Sequence, residues 1–490
     1  MKLRSYISAL LVGTLLLFSS CVKLLKEDVY SQLDPETSFK SVNGIEKVLF
    51  SAYNLPEFLG EGSYSLMLEE CTSDQLFVTG GEFGLDATIM KNFSFDAFIP
   101  SRFSFMWAGD YGRIRDCNLV LENIDQSPVD LTTKARLIAE ARFIRAYSYY
   151  ILYERYGGVP LRLSNNGDLA LARATELEMQ SFFEKEFGDA AKGLPNRGQI
   201  PGYQYGRATK GAALGYLCRF YLNTKQWQKC ADVAQQVMDL GIYQLWPDIT
   251  TLFTVANEMS NKEYIWAAPA FAGIYDRGNE LLGGLFPPAF SRSVDGRVVF
   301  TSNMLRKALQ LRVYDSFYNS FNPNDARKKM IISQYINSAG ATVSLLNQDN
   351  TRAFKYVPDP NSLGNSAGND IPIIRYADIL LSRAEALNEL SGPTQESLAL
   401  IQTVRNRAGL TTPLVLASYT KGTLRDHILN ERGWEFYLEK LRRQDLIRHG
   451  KFISSAQGRG VANAVEYRKL FPIPQTEINA NNLCVQNPGY

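Results

Sequence analysis

The stretch that most constrains the fold runs from Ile371 to Leu410, IPIIRYADILLSRAEALNELSGPTQESLALIQTVRNRAGL. Tyr376, Ile379, Leu380, Ala384 and Leu387 return at helical spacing and mark one buried stripe. Ser391-Gly392-Pro393 stops that helix, and Leu398, Ile401, Val404 and Ala408 mark a second. Small residues at Ala377, Ala384 and Ala386 let the two helices approach closely, as stacked helix pairs require. Such a hairpin cannot bury its own apolar faces, so the rest of the chain must cover it.

The same design returns at 206–240, where Gly211, Leu214, Leu217, Cys218 and Tyr221 form one helix. Trp227, Ala231, Ala234 and Met238 form its partner, a spacing that resembles a tetratricopeptide repeat. The clearest single helix lies within 131–161, with Ala139, Phe143, Ala146, Tyr147 and Tyr150 as its stripe. Thr132 or Thr133 caps it, and Gly157-Gly158 with Pro160 stop it. Further helices are expected at 44–55, from Trp107 to Leu121, at 176–192 and at 424–450. The expected fold is mainly α, an α-solenoid-like scaffold of tetratricopeptide-like pairs with long loops and a few short strands.

Two regions break the helical period. Residues 56–104 gather Phe83, Phe93 and Phe103 with Gly80, Gly81 and Gly84, and read as a long structured loop. Residues 246–370 carry Trp266, Phe271, Tyr275, Phe286, Phe290 and Phe300, with short strands expected at Tyr264–Ala268 and Ile331–Tyr335. Rings in such loops suit a binding surface, whereas Trp107, Trp227 and Trp434 sit in helical stripes and read as core.

The start of the chain reads as a secretory signal over residues 1–20. Lys2 and Arg4 precede an apolar core from Ile7 to Phe18, and Ser20 stands directly before Cys21. That arrangement fits signal peptidase II, with Cys21 diacylated as the new N-terminus, and plain secretion as the alternative. Residues 21–40 are then a lipidated tether, and 41–490 a single domain. No later stretch supplies the roughly 20 apolar residues of a membrane-spanning helix, so the expected attachment is by lipid alone.

Several chemistries lack their residues. A net charge of +2 gives no electrostatic grip on nucleic acid. Cys71, Cys117, Cys218, Cys230 and Cys484 form no C-x-x-C pair, and spacing leaves the pairing of Cys218 with Cys230 open. The two histidines, His427 and His449, form no H-E-x-x-H motif, so neither metal nor cofactor is expected. Gly364-Asn365-Ser366-Ala367-Gly368 matches a G-x-S-x-G elbow, but its flanks are polar loop rather than strand and helix. Asp359, Asn361 and Gly364 mimic part of a calcium loop, with Leu363 where an oxygen ligand belongs. Glu69-Glu70 and the basic run Arg442, Arg443, Arg448 are expected to be solvated or, for the glutamates, capping.

Five stretches together resemble the SusD/RagB outer-membrane lipoproteins of Bacteroidetes. They are the lipoprotein start, AEARFIRAYSYYILYERYGGVPL at 139–161, RYADILLSRAEALNE at 375–389, VRNRAGL at 404–410 and the C-terminal LFPIPQTEINANNLCVQNPGY. The chain departs at Gly433 and at Glu439-Lys440-Leu441, where the family often has an arginine and a Glu-Gly-Arg run. The resemblance implies a helical, non-enzymatic surface protein that captures oligosaccharides or peptides for a SusC-like TonB-dependent transporter. It leaves a lipid-anchored scaffold for protein partners as the alternative. A sugar's C–H face stacks on a ring while its hydroxyls need polar partners at the rim. On that basis the candidate ligand residues are Tyr275, Arg277, Trp266 and Phe271 in one loop region, and Phe83, Arg102 and Phe103 in the other. Tyr275 leads, because Asp276, Arg277, Gly278 and Asn279 follow it in a polar turn.

Overall fold

The structure, a computed structural model, describes residues 38–54, 59, 68–96, 101–168, 170–199, 205–274 and 277–490, with the backbone alone for 101–104. The expected signal, Cys21 and nearly all of the tether lie outside the described residues. The helices before the insert are α1 (Val42–Ala52), α2 (Phe83–Lys91), α3 (Ser101–Asn123), α4 (Leu131–Tyr156), α5 (Glu176–Gly193), α6 (Lys210–Asn223) and α7 (Trp227–Asp239). After a short α8 (Asp315–Ser320) come α9 (Tyr376–Ser391), α10 (Gln395–Arg407), α11 (Lys421–Phe436), α12 (Arg442–Arg448), α13 (Phe452–Gly458) and α14 (Gln475–Ala480).

Each long helix from α3 to α7 packs on the next, α7 packs on α9, and α9 packs on both α10 and α11. Polar side chains fix where these helices begin. Asp130 rather than Thr132 or Thr133 caps α4, its Oδ1 accepting the Thr133 N–H at 3.0 Å. Thr175, Thr394 and Thr420 close capping boxes on α5, α10 and α11. The hairpin α9–α10 buries Ala377, Leu381, Ala384, Ile401 and Val404 against Leu424 and Ile428 of α11. Ala384 has no exposed surface, as close helix approach demands.

The first residues of the hairpin stretch are not helical. Ile371–Arg375 form β9, which pairs antiparallel with β2 (Tyr264–Ala268). The remaining strands are β1 (Leu76–Thr79), β3 (Phe290–Ser293), β4 (Gln310–Val313), β5 (Ile331–Ile332), β6 (Gln334–Asn337), β7 (Thr342–Ser344) and β8 (Arg352–Ala353). They form small antiparallel pairings, β1–β4, β3–β6–β7 and β5–β8. Trp266 of β2 fastens this strand region to the helices. Its ring lies edge-on to Phe143, Tyr147 and Tyr216 at 4.9, 5.1 and 5.8 Å.

Two expectations need correction. The helix expected at 424–450 is broken, because Leu438 and Lys440 take φ values of 62° and 65° between α11 and α12. A residue other than glycine pays strain there, and buried bonds hold the turn in place. The Lys355 ammonium donates to the carbonyls of Glu435 and Tyr437 at 2.8 and 3.0 Å. The Lys440 N–H donates to Glu70 at 2.6 Å. The basic run is likewise buried rather than solvated. Arg442 pairs with Asp74 at 2.7 Å and Arg448 with Glu385 at 2.6 Å, while Arg443 donates to the Lys469 carbonyl.

These pairs border a larger buried network. Arg375 donates to Glu263, to Glu435 at 2.9 Å and to Glu439 at 2.7 Å. Arg407 reaches Glu263 and Glu435, and Arg327 reaches Asp325, Glu431 and Glu435. Removing one partner of such a network leaves buried charge uncompensated. Arg375→Met should therefore lower the unfolding free energy by about 3–5 kcal/mol in denaturant titration. Lys451→Ala, which breaks an exposed pair with Asp426, should change it by less than about 0.5 kcal/mol.

Candidate binding surface

The β1–β4 pairing joins the two loop regions, matching Leu76 with Val313 and Thr79 with Gln310. Region 56–104 is more ordered than a loop, since it contains β1 and α2. Gly80 makes the join tight: at φ 73° a Cβ there would stand 2.8 Å from the Ala308 carbonyl oxygen.

Beside this join, three loop segments lock into one backbone network. The Phe271 N–H donates to the Arg277 carbonyl at 2.8 Å and closes a turn. Asn279 and Ala367 exchange backbone bonds of 2.8 and 3.2 Å, and Leu305 N–H meets the Gly364 carbonyl at 2.6 Å. The Ser366 hydroxyl, 3.3 Å from the carbonyls of Phe271 and Ile274, ties the same turn to segment 359–369. Gly273 is required here too, because a Cβ at its φ of 72° would lie 2.7 Å from the Leu363 side chain.

The network presents four large apolar side chains to solvent. Phe271, Ile274, Leu305 and Leu363 are each more than half exposed, and Arg277 is exposed beside them. Exposed apolar groups on a polar rim mark an interaction site more readily than a core. Lys307, Glu280 and Asn365 hold the rim, with Glu280 Oε2 accepting from both Lys307 Nζ at 2.6 Å and Asn365 Nδ2 at 2.9 Å.

Of the residues expected from sequence, Phe271 and Arg277 stand on this surface. Tyr275 lies outside the described residues, as do the side chains of Arg102 and Phe103. Trp266 and Phe83 are core residues, 2% and 4% exposed. The Trp266 indole N–H is spent on the Gly206 carbonyl at 2.9 Å, so no ring face is open. Ile274, Leu305 and Leu363 were not expected. The available signal was an isolated large aliphatic residue among polar neighbours, as in Asn361-Ser362-Leu363-Gly364-Asn365.

The other motifs resolve into structure. Ser366 sits in a turn, while His427 contacts Tyr419 and His449 contacts Glu385. Asp359 accepts from the N–H groups of Asn361 and Gly368, which organises the loop. Among the described residues no group of three or more His, Cys, Asp or Glu is arranged to hold a metal ion. Cys218 and Cys230 are free thiols whose sulfurs lie 3.8 Å apart. Glu69 and Glu70 are buried rather than solvated. Burial raises both, but Arg155, Lys440 and Arg443 hold Glu69 down at about 2, whereas Glu70 rises to about 7.

A second carboxyl pair underlies the surface. Asp370 Oδ1 accepts the Ala270 N–H at 2.8 Å, and Glu258 Oε1 accepts the Asp370 N–H at 2.7 Å. Burial pushes Glu258 up to about 8, with repulsion from Asp370 adding to it, and burial pushes Asp370 up to about 6. The folded state thus holds these protons more tightly than the unfolded chain.

Residues 312–490 match the family model described as "SusD family", and residues 29–222 match the one described as "Starch-binding associating with outer membrane". A SusD-like protein of Formosa agariphila is 25% identical, with 99% of each chain covered. The starch-binding protein SusD of Bacteroides thetaiotaomicron is 24% identical over 72% of each chain. Among solved structures, a laminarin-binding SusD-like protein superposes with a TM-score of 0.77 at 24% identity, covering 91% of this chain and 99% of that one. Surface glycan-binding protein A of B. thetaiotaomicron, in complex with laminarihexaose, gives 0.73 at 20%, covering 90% and 98%. These superpositions show a shared fold.

Stability carried by Glu258 is full below its ordinary value of 4.5 and declines as pH rises towards 8. Glu258→Gln keeps the acceptor and removes the titration. Its melting temperature should gain on wild type between pH 5 and pH 8 in paired thermal scans.

Proposed function

Because the chain belongs to the SusD/RagB family, we propose that it captures oligosaccharides at the bacterial surface. In this reading Cys21 carries the lipid that anchors it to the outer membrane, facing outward. The captured glycan passes to a SusC-like TonB-dependent transporter. The observation that carries the reading is the match to both family models, whose relatives include a starch-binding and a laminarin-binding protein. Geometry supplies the place: the exposed Phe271 ring beside Arg277, on a backbone network fixed from both loop regions.

The division of labour follows from sugar chemistry. The Phe271 ring offers a flat apolar face to pyranose C–H groups, and Arg277 offers donors to hydroxyl oxygens. Tyr275, two residues before Arg277 in the same turn, belongs to the proposed site. The protein binds and does not cut, since Ser366, in the one elbow-like motif, donates to loop carbonyls. A peptide ligand is the second reading. It is favoured by the aliphatic Ile274, Leu305 and Leu363, which suit side chains better than sugar faces.

Calorimetry against laminarihexaose, maltohexaose and mixed peptides tests both readings. Phe271→Ala and Arg277→Ala should each weaken binding of the preferred class about tenfold, or ~1.4 kcal/mol, with the ligand recovered uncut. Unchanged affinity in the double variant would remove this surface from the account.

A further inference from the structure

A separate cleft of about 480 Å³ opens between α3, the segment 160–168 and the C-terminal α14. It shares no lining residue with the surface around Phe271, and it falls within the size range of small-molecule sites. Trp107 and Tyr111 line it, their rings 5.1 Å apart and tilted by 39°. Tyr111 is held in place by its hydroxyl, which donates to the Pro160 carbonyl at 2.8 Å.

The polar groups of this cleft are mounted rather than floating. Asn165 donates its amide to the Arg115 carbonyl at 3.0 Å, and its backbone N–H donates to Glu122 at 2.7 Å. That leaves its side-chain oxygen turned to other partners. Trp107 is 3% exposed, and its indole N–H meets no acceptor among the described residues. The hydroxyl of Tyr156, whose ring is 5.0 Å from Trp107, is buried with no partner among them either. Buried donors without acceptors are costly unless something else supplies the oxygen.

Charge narrows the ligand. The lining carries two carboxylates, Asp168 and Glu477, and two guanidiniums, Arg115 and Arg162, so neither an anion nor a cation is favoured overall. Arg115 is already engaged by Asp116 at 2.8 Å. Rings for C–H faces, donors lacking an oxygen and carboxylate acceptors for hydroxyls describe a neutral polyhydroxylated molecule.

We propose that this cleft is a second carbohydrate site, taking one neutral sugar residue against Trp107 and Tyr111. It rests on the glycan reading of the protein and adds a contact that the Phe271 surface does not contain. A long glycan could then be held at two places, with the avidity that follows when both are spanned.

The five tryptophans give five indole N–H signals in a ¹H–¹⁵N spectrum, and Trp107→Phe identifies the relevant one. Saturating laminarihexaose or maltohexaose should shift the Trp107 signal and leave that of the core Trp266 in place. The shift should persist in Phe271→Ala/Arg277→Ala and vanish in Asp168→Asn/Glu477→Gln. A Trp107 signal that stays put while calorimetry records binding would overturn the second site and leave surface capture standing. A shift abolished by the Phe271→Ala/Arg277→Ala variant would overturn it as well, because the signal would then be relayed from the other surface. No binding of either hexasaccharide by calorimetry or by spectrum would overturn both readings together.

Discussion

Arg375 is the point on which this fold turns. It ends β9, opens α9 and spends its guanidinium on Glu263, Glu435 and Glu439 while 1% exposed. Glu263 immediately precedes β2, Glu435 lies in α11 and Glu439 in the strained turn after it. One side chain therefore ties the strand insert, the helical hairpin and the C-terminal helices together. Around it Arg327, Lys355, Arg405 and Arg407 balance Asp325 and Glu431 and share the glutamates. Five cations meet five carboxylates, which is what makes burying this much charge tolerable.

The balance shows in the titration behaviour. Burial pulls Lys355 down to about 8, and burial with nearby Arg405 and Arg327 pulls His427 down to about 4. Burial alone would raise Glu435, but Arg407, Arg375 and Arg327 hold it well below the usual carboxylate range. A frame built on such pairs has one arrangement that satisfies all its members and many that satisfy few. Specific geometry in the helices is thus bought with charge as well as with apolar packing.

Much of the frame was legible because helices announce themselves locally. Periodic stripes, threonines at starts and Gly-Pro stops located α4, α5, α9 and α10 to within a few residues, and β2 was visible as Tyr264–Ala268. Buried charge was not legible. Arg442 looks like part of a solvated basic run until Asp74, 368 residues away, is seen to meet it. Lys440 at φ 65° stands where the family often has glycine, and only its neighbours show how the strain is carried. The loop rings were equally ambiguous. Trp266 and Phe271 belong to one segment, yet one closes an aromatic cluster and the other faces solvent. That difference depends on α4 and α6 packing over β2, which no local pattern encodes.

Frame and surface therefore divide the work: rigid helices and ion pairs fix β2, β4 and β9, and the segments between them present side chains to a ligand. Hydrogen–deuterium exchange with and without laminarihexaose tests that division directly. Glycan should slow exchange at residues 271–274, 277–279, 303–307 and 363–367, and leave the α9–α10 hairpin unchanged. Bound glycan that protects α9–α10 and leaves those loop segments as they were would contradict it.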